Sequence, residues 1–125
     1  MSTFEQVAQE QRKRKRVFAR SLFPMDREVG YREMATRIGG EKKGVLHSIS
    51  QSGLFVRSKD IPQIGTQLAI NFFFGQEKIR CEGTVIYRNP TDDGINAQGF
   101  GMKFTKMLTK DYEAIKQSVD QFFQM

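Results

Sequence analysis

The sequence predicts a mostly β protein, a barrel or a sandwich, that ends in one helix. Two observations lead to this fold class. From about residue 19 onward, β-branched and aromatic residues form short runs separated by turn signals such as Gly39-Gly40 and Asp92-Asp93-Gly94. From Thr109 onward, apolar residues follow helical spacing instead. Short strands at such spacing, followed by a helix, are typical of a small β-barrel or sandwich.

Seven runs have the composition and the length of strands. We expect them at residues 19–25, 31–38, 44–48, 53–57, 67–74, 78–89 and 96–105. One of these runs contains three consecutive aromatics, Phe72-Phe73-Phe74. Because side chains alternate between the two faces of a strand, at least one of the three should point away from the core. We expect the helix or a bulge to cover it.

The predicted helix begins near Thr109, which can cap it, and has Asp111 and Glu113 in its first turn. Its apolar residues fall on one face at helical spacing. They are Tyr112, Ile115, Val119, Phe122 and Phe123. We expect this face to cover an open edge or mouth of the barrel, and the alternative is a helix presented to a partner.

Length and composition indicate one domain preceded by a polar segment. The chain has 125 residues with 38% hydrophobic content, enough for one core. Residues 1–15 are expected to be a helical or flexible lead-in, and residues 16–125 the barrel with its helix. No run approaches the roughly 18 apolar residues that span a bilayer, which predicts a cytoplasmic protein. The single cysteine, Cys81, excludes a disulfide framework and is expected to be an inert strand residue.

The positive charge is concentrated in one segment. The formal net charge is +6, and six basic residues with no acid lie between Arg12 and Arg20. Outside that segment the 20 basic residues fall to fourteen, which matches the 14 acidic residues of the whole chain. A local excess of this kind favours a dedicated anion site or a basic arm.

Two short motifs suggest a phosphorylated ligand. The first is Lys15-Arg16 followed by Arg20, and two arginines four residues apart provide paired donors for phosphate oxygens or a guanine edge. The spacing also fits a solvated helix face. In the second motif, Ser48 and Ser50 share one face of an extended chain and Gly53 permits a close backbone approach. Alternatively, these hydroxyls satisfy local backbone groups in a turn.

The ordered set of motifs resembles the PilZ domain, a six-stranded antiparallel β-barrel with a C-terminal helix that binds the bacterial second messenger cyclic di-GMP. The resemblance covers roughly Lys15 to Phe123. Three segments carry it: Lys15-Arg16-Val17-Phe18-Ala19-Arg20, Ser50-Gln51-Ser52-Gly53-Leu54-Phe55-Val56 and Gly99-Phe100-Gly101-Met102-Lys103-Phe104. Residues 16–125 would then form the PilZ-like domain.

The resemblance implies a set of ligand-binding residues. Arg16 and Arg20 would contact the guanine faces and the phosphates of cyclic di-GMP, and Ser50 would bind near a phosphate or a base. Gly53 would keep the floor of the site low. Lys15 occupies the position that influences whether one ligand or a stacked pair binds, and both stoichiometries stay open.

One position departs from the family pattern. The aspartate or asparagine that reads a guanine edge is Ser48 here, and one hydroxyl on a short stem makes no bidentate contact. Losing one such contact predicts binding roughly ten- to a hundredfold weaker. The neighbouring His47 either compensates as a donor or is a plain boundary residue.

Three functions follow as hypotheses. The leading one is a cyclic di-GMP receptor whose N-terminal arm changes conformation on binding and signals to an unidentified protein partner. The second is a PilZ-like interaction module that has lost the nucleotide, which the Ser48 substitution favours. The third is a nucleic-acid binder acting through the basic arm, which has few aromatic residues for base stacking.

No motif indicates an enzyme, a cofactor or a metal site. The chain has one histidine and one cysteine, and neither a Walker-type loop nor a Gly-x-Ser-x-Gly sequence. The adjacent acids Asp92 and Asp93 belong to a turn signal and are expected in a solvated loop.

Overall fold

Seven strands and a C-terminal helix make up the fold in a computed structural model of the chain, which describes residues 16–19, 27–35, 40–94 and 97–124. The strands are β1 (Val17–Phe18), β2 (Glu28–Glu33), β3 (Lys42–Ile49), β4 (Gly53–Arg57), β5 (Gln67–Phe74), β6 (Glu77–Asn89) and β7 (Gly99–Lys106). The helix, α1, is Thr109–Gln124.

Six of these strands close into an antiparallel barrel. The order is β3-β2-β5-β6-β7-β4, and β4 pairs again with β3. The short strand β1 adds to β3 beyond the end of β2: β2 pairs with Lys42–Val45, whereas Val17 and Phe18 pair with Ile49 and Ser48. The predicted mostly β fold and its closed six-stranded barrel are confirmed.

Most predicted strands form close to their expected bounds. Two of them, 53–57 and 67–74, coincide with β4 and β5. The strand expected at 31–38 is instead β2, which ends at Glu33 because its last partner, Leu68, lies next to the first residue of β5. The strand expected at 19–25 lies almost wholly outside the described residues, as does the lead-in 1–15, and β1 was not predicted.

The side chains of β5 alternate strictly between the core and the exterior. In β5, Leu68, Ile70, Phe72 and Phe74 are buried, whereas Phe73 points outward and is 42% exposed. The expectation that the helix or a bulge covers Phe73 was wrong. The Lys78 ammonium lies 5.6 Å from the centre of the Phe73 ring, so a flexible basic side chain on the paired strand shields it in part.

The helix α1 packs one face on this core. Ile115 and Val119 are buried in the main hydrophobic cluster and Phe122 packs against it, whereas Phe123 is largely exposed. The predicted cap is off by one residue, because the Leu108 carbonyl accepts hydrogen bonds from the amides of residues 111 and 112 and Thr109 is the first helical residue.

Cys81 lies on β6 and is buried, as expected. Burial, together with the smaller effect of the nearby charges of Asp111 and Glu82, raises the pKa of its thiol to about 12. A thiol in this state is protonated at neutral pH and behaves as a small apolar side chain.

Candidate functional site

A continuous row of register partners crosses five strands on the outer face of the barrel. Phe18 pairs with Ser48, and Ser48 pairs with Phe55. Phe55 pairs with Gly101, and Gly101 pairs with Tyr87. We call these five residues the cross-strand row. Side chains of directly opposed residues share one face of a sheet, so the row places its members side by side.

Two β-bulges adjoin the cross-strand row. The β3–β4 register shifts between Leu46 and Ser48, which leaves His47 as the extra residue, and the β6–β7 register shifts between Val85 and Tyr87, which leaves Ile86 as the extra residue. A bulge re-aims the side chains next to it. As a result two consecutive pairs, His47-Ser48 and Ile86-Tyr87, line the same cavity although neighbours in a regular strand point to opposite faces.

This cavity has a volume of about 490 Å³, within the roughly 300–1,000 Å³ typical of small-molecule sites. We call it the aromatic cavity. Its lining residues come from β1, β3, β4, β6 and β7 and from the segments beside them. They are Arg16, Phe18, His47, Ser48, Phe55, Ile86, Tyr87, Ala97 and Gly101.

Four rings form a connected band in the aromatic cavity. The ring centres of Phe18 and His47 are 5.4 Å apart, those of His47 and Phe55 are 5.8 Å apart, and those of Phe55 and Tyr87 are 6.1 Å apart. The first two pairs meet edge to face, an arrangement that aromatic quadrupoles favour. Tyr87 and Phe18 remain about half exposed. The band therefore presents aromatic surface to a ligand.

The β6–β7 connection is held beside the cavity by side-chain amides. Asn89 donates a hydrogen bond from Nδ2 to the Ala97 carbonyl over 2.9 Å, and Gln98 donates from Nε2 to the Pro90 carbonyl over 2.8 Å. Ala97 is a lining residue, so these bonds fix part of the cavity wall. Residues 95 and 96 lie outside the described part of the chain.

One residue from each of the two sequence motifs lines this cavity. Arg16 and Ser48 both line it, although thirty-two positions separate them in the printed sequence. The pairing of β1 with the end of β3 brings them together. Lys15 and Arg20 lie outside the described residues, so their placement relative to Ser48 stays a prediction.

Ser50 occupies a different environment from Ser48. Its side chain is fully buried, and its hydroxyl donates to the Gly53 carbonyl over 3.3 Å and accepts from the Ser52 amide over 3.3 Å. The turn between β3 and β4 thus uses this hydroxyl for its own backbone, which is the alternative noted from the sequence. Ser50 is absent from the lining of the aromatic cavity.

Two glycines near the site have different structural roles. A Cβ at Gly53 would collide with the Met102 carbonyl oxygen, so the close approach of β4 to β7 requires glycine there. A Cβ at Gly101 would lie 3.3 Å from the Tyr87 Cβ and 3.8 Å from the Phe55 ring. Gly101 is therefore the glycine that keeps the cavity floor low between two rings.

A second concavity adjoins the first. It has a volume of about 760 Å³ and lies between the β3–β4 turn, the end of β7 and the start of α1. We call it the helix groove. It contains Gly53, Lys103, Lys106 and Tyr112, and it shares Arg16 and Ile86 with the aromatic cavity. Arg16 thus lies where the two surfaces meet.

Sequence reasoning missed Phe55, Tyr87 and Ile86 as cavity residues. The sequence around Phe55 and Tyr87 has the pattern of ordinary alternating strands. The bulge that exposes Ile86 and Tyr87 together has no signal in the sequence. The available signal was the run Gly99-Phe100-Gly101, where a glycine between apolar residues marks a close approach.

The described ranges contain neither a metal-binding cluster nor a membrane-spanning helix. Within them no group of three or more histidine, cysteine, aspartate or glutamate side chains is placed to hold a metal ion. No helix in the same ranges is both long and apolar enough to cross a membrane.

Comparison with known proteins gives one family and one fold. The family model for the PilZ domain matches residues 10–121. The structure is similar to that of the Bacillus subtilis inhibitor of motility (MotI/DgrA), with 16% sequence identity and a TM-score of 0.67 over 87% of this chain and 49% of that one. It is also similar to the Borreliella burgdorferi PlzA protein in complex with c-di-GMP, with 17% identity and a TM-score of 0.61 over 90% of this chain and 42% of that one.

The chain thus spans about half or less of the length of these two solved proteins. At such identities the likeness concerns the fold. A search of curated protein sequences found no significant match.

Proposed function

Because the chain belongs to the PilZ domain family, we propose that it is a cytoplasmic bacterial receptor for cyclic di-GMP and not an enzyme. One observation supports this most directly: β1 pairs with the end of β3 and brings Arg16 of the first motif and Ser48 of the second to the same cavity. The cavity combines a guanidinium, a hydroxyl and aromatic rings, which suit a ligand with phosphates and purine bases.

In this proposal different residues bind different parts of the ligand. Arg16 and Arg20 bind phosphate oxygens and a guanine edge through their paired donors, and Lys15 adds a point charge beside them. Ser48 contributes one hydroxyl. Ser50 and Gly53 act mainly by holding the β3–β4 turn in shape, since their polar atoms bond to each other. Either one or two ligand molecules bind, and no further cofactor takes part.

The signal that follows ligand binding is a conformational change in the basic segment that precedes β1. Six basic residues between positions 12 and 20 repel one another in the absence of ligand, and two phosphates neutralise part of that charge. We propose that the arm then changes its position against the barrel and alters the surface offered to a protein partner. Slower amide hydrogen exchange in the arm on ligand addition is the expected sign.

The test is isothermal titration of the whole chain with cyclic di-GMP, with GTP and cyclic di-AMP as competitors. We expect selective binding that weakens as salt is added, because exposed charges are screened. The double variant Arg16→Ala, Arg20→Ala should abolish binding and leave the unfolding curve unchanged.

A matched double variant controls for charge. Arg32→Ala with Arg80→Ala also lowers the net charge of +6 by two, and both arginines are exposed and line neither concavity. It should bind like the wild type. Unaltered affinity in the Arg16, Arg20 variant would contradict the proposal.

A second candidate is a PilZ-like interaction module that no longer binds the nucleotide. The engaged hydroxyl of Ser50 and the short side chain of Ser48 favour it, because both remove polar groups that a ligand would use. No heat of binding up to millimolar cyclic di-GMP, at any salt concentration, is the result expected of this second candidate.

A further inference from the structure

We propose that the aromatic cavity is a purine-base subsite in which His47 and Tyr87 contact the base directly. The inference rests on the proposed function for the identity of the ligand, and it assigns to these two side chains a role that neither sequence motif contains. His47 then supplies the base contact that the short Ser48 side chain does not reach.

The two β-bulges direct additional side chains into the aromatic cavity. Both bulges occur beside the same cross-strand row, on strands that are not neighbours in the barrel. Each bulge turns one additional side chain, His47 or Ile86, toward the cavity. Bulges are concentrated beside binding sites because they re-aim side chains at the cost of a ladder hydrogen bond. Two of them at one cavity indicate a surface shaped for a ligand.

The side chains that line the aromatic cavity suit a purine base. Four connected rings and Ile86 form an apolar surface, and Gly101 leaves its floor open between Phe55 and Tyr87. A planar heteroaromatic ring stacks on such a surface, and a purine offers more stacking area than a pyrimidine. The exposed Arg16 at the same cavity suits the phosphate that a nucleotide carries.

His47 differs from the other three rings. It is half-buried, it lies between Phe18 and Phe55, and it has polar ring nitrogens as well as an aromatic face. It is also the single histidine of the chain. Its imidazole signals in a proton–carbon NMR spectrum are therefore assigned without further work and report on this cavity alone.

The experiment follows the His47 imidazole signals by NMR while four ligands are titrated into the protein. The ligands are cyclic di-GMP, GMP, UMP and ribose 5-phosphate, so that base size and base presence vary while a phosphate is kept. We expect cyclic di-GMP and GMP to shift the His47 ring signals, UMP to shift them less, and ribose 5-phosphate to leave them in place.

The variants are His47→Ala, Tyr87→Leu and Gly101→Ala, the last of which places a methyl group on the cavity floor. Each should weaken cyclic di-GMP binding roughly fivefold to a hundredfold, the range for the loss of one base–aromatic stack. Phe73→Ala is the matched control, because Phe73 is an outward-facing aromatic of similar exposure on β5 and does not line the cavity.

The outcomes separate this inference from the proposed function. If cyclic di-GMP binds but the His47 signals and the variants are unaffected, the base subsite is wrong and the receptor function stands. If cyclic di-GMP does not bind but GMP shifts the His47 signals, the subsite stands and the receptor function is wrong. If cyclic di-GMP does not bind and no purine nucleotide shifts the His47 signals, both are wrong.

Discussion

The two halves of β6 are built differently and serve different ends. Its first part, Glu77–Thr84, pairs with β5 in unbroken register, and its side chains alternate between core and exterior. Its second part pairs with β7 through a bulge, and Ile86 and Tyr87 are both exposed. The regular half contributes to the hydrophobic core, whereas the bulged half lines a cavity. The aromatic cavity lies beside the bulge between Val85 and Tyr87, whereas the other β6–β7 register shift, between Glu82 and Gly83, lies away from it.

A substitution of a buried ring beside the regular half should therefore destabilise the fold more than a substitution in the bulged half. Phe72→Ala, in the regular hairpin partner β5, removes a ring that is 2% exposed and should lower the free energy of unfolding by about 3–5 kcal/mol. Tyr87→Ala removes a ring that is 50% exposed and should cost much less. Urea unfolding measures both, and equal losses would show that the bulged half is as much a part of the core.

Substitutions of Gly53 and Gly101 by alanine should also differ in their effects on stability and binding. Gly53→Ala forces a methyl group against the Met102 carbonyl oxygen and should destabilise the barrel by about 1–3 kcal/mol, because β4 and β7 must separate. Gly101→Ala requires Tyr87 to move by only a few tenths of an ångström. Thermal unfolding should therefore rank Gly53→Ala as the more damaging change, while titration ranks Gly101→Ala as the more damaging one for binding. A reversed ranking in either assay would contradict these roles.

Near neutral pH the smallest effect is expected from Cys81, in the regular half of β6, because its thiol titrates only at alkaline pH. Its thiol pKa is raised from 9.0 to about 12, so the folded state holds the proton more tightly than the unfolded state. The stabilisation this gives is complete below pH 9 and is lost as the pH rises from 9 to 12. The Cys81→Ala variant should lose less stability over that window than the wild type, as measured by urea unfolding at several pH values.

Thiol labelling provides an independent check on Cys81. Iodoacetamide reacts with the thiolate, so the folded protein at pH 8 should label far more slowly than the protein in concentrated urea. Equal rates would mean that the thiol is accessible and ionised in the folded state.

Much of the fold was predictable because local patterns decide it. The strands 53–57 and 67–74 were found with their bounds because alternating burial leaves a period of two in the sequence. The start of α1 was found because the apolar spacing changes there. The strand β1 was not found, because two residues carry no period; it exists only because the end of β3 offers it partners.

The candidate site was predictable only in its polar members. Arginine and serine motifs can be recognised from residue type and spacing alone. They led to Arg16 and Ser48, which both line the aromatic cavity. The motif also led to Ser50, whose hydroxyl the structure places in its own turn. Whether a serine faces a ligand or its own backbone depends on the turn geometry, and the same letters are compatible with both.

By itself, the sequence determined the strand-rich fold, the closing helix, the local concentration of positive charge and the family, because each depends on residue type, order or short-range period. Only the tertiary structure decided which residues stand side by side. The cross-strand row joins β1, β3, β4, β7 and β6, and its members meet through four separate registers. A shift of one residue in any register turns a side chain to the opposite face. Barrel closure fixes those registers, and it thereby brings Phe18, Ser48 and Tyr87 to one cavity.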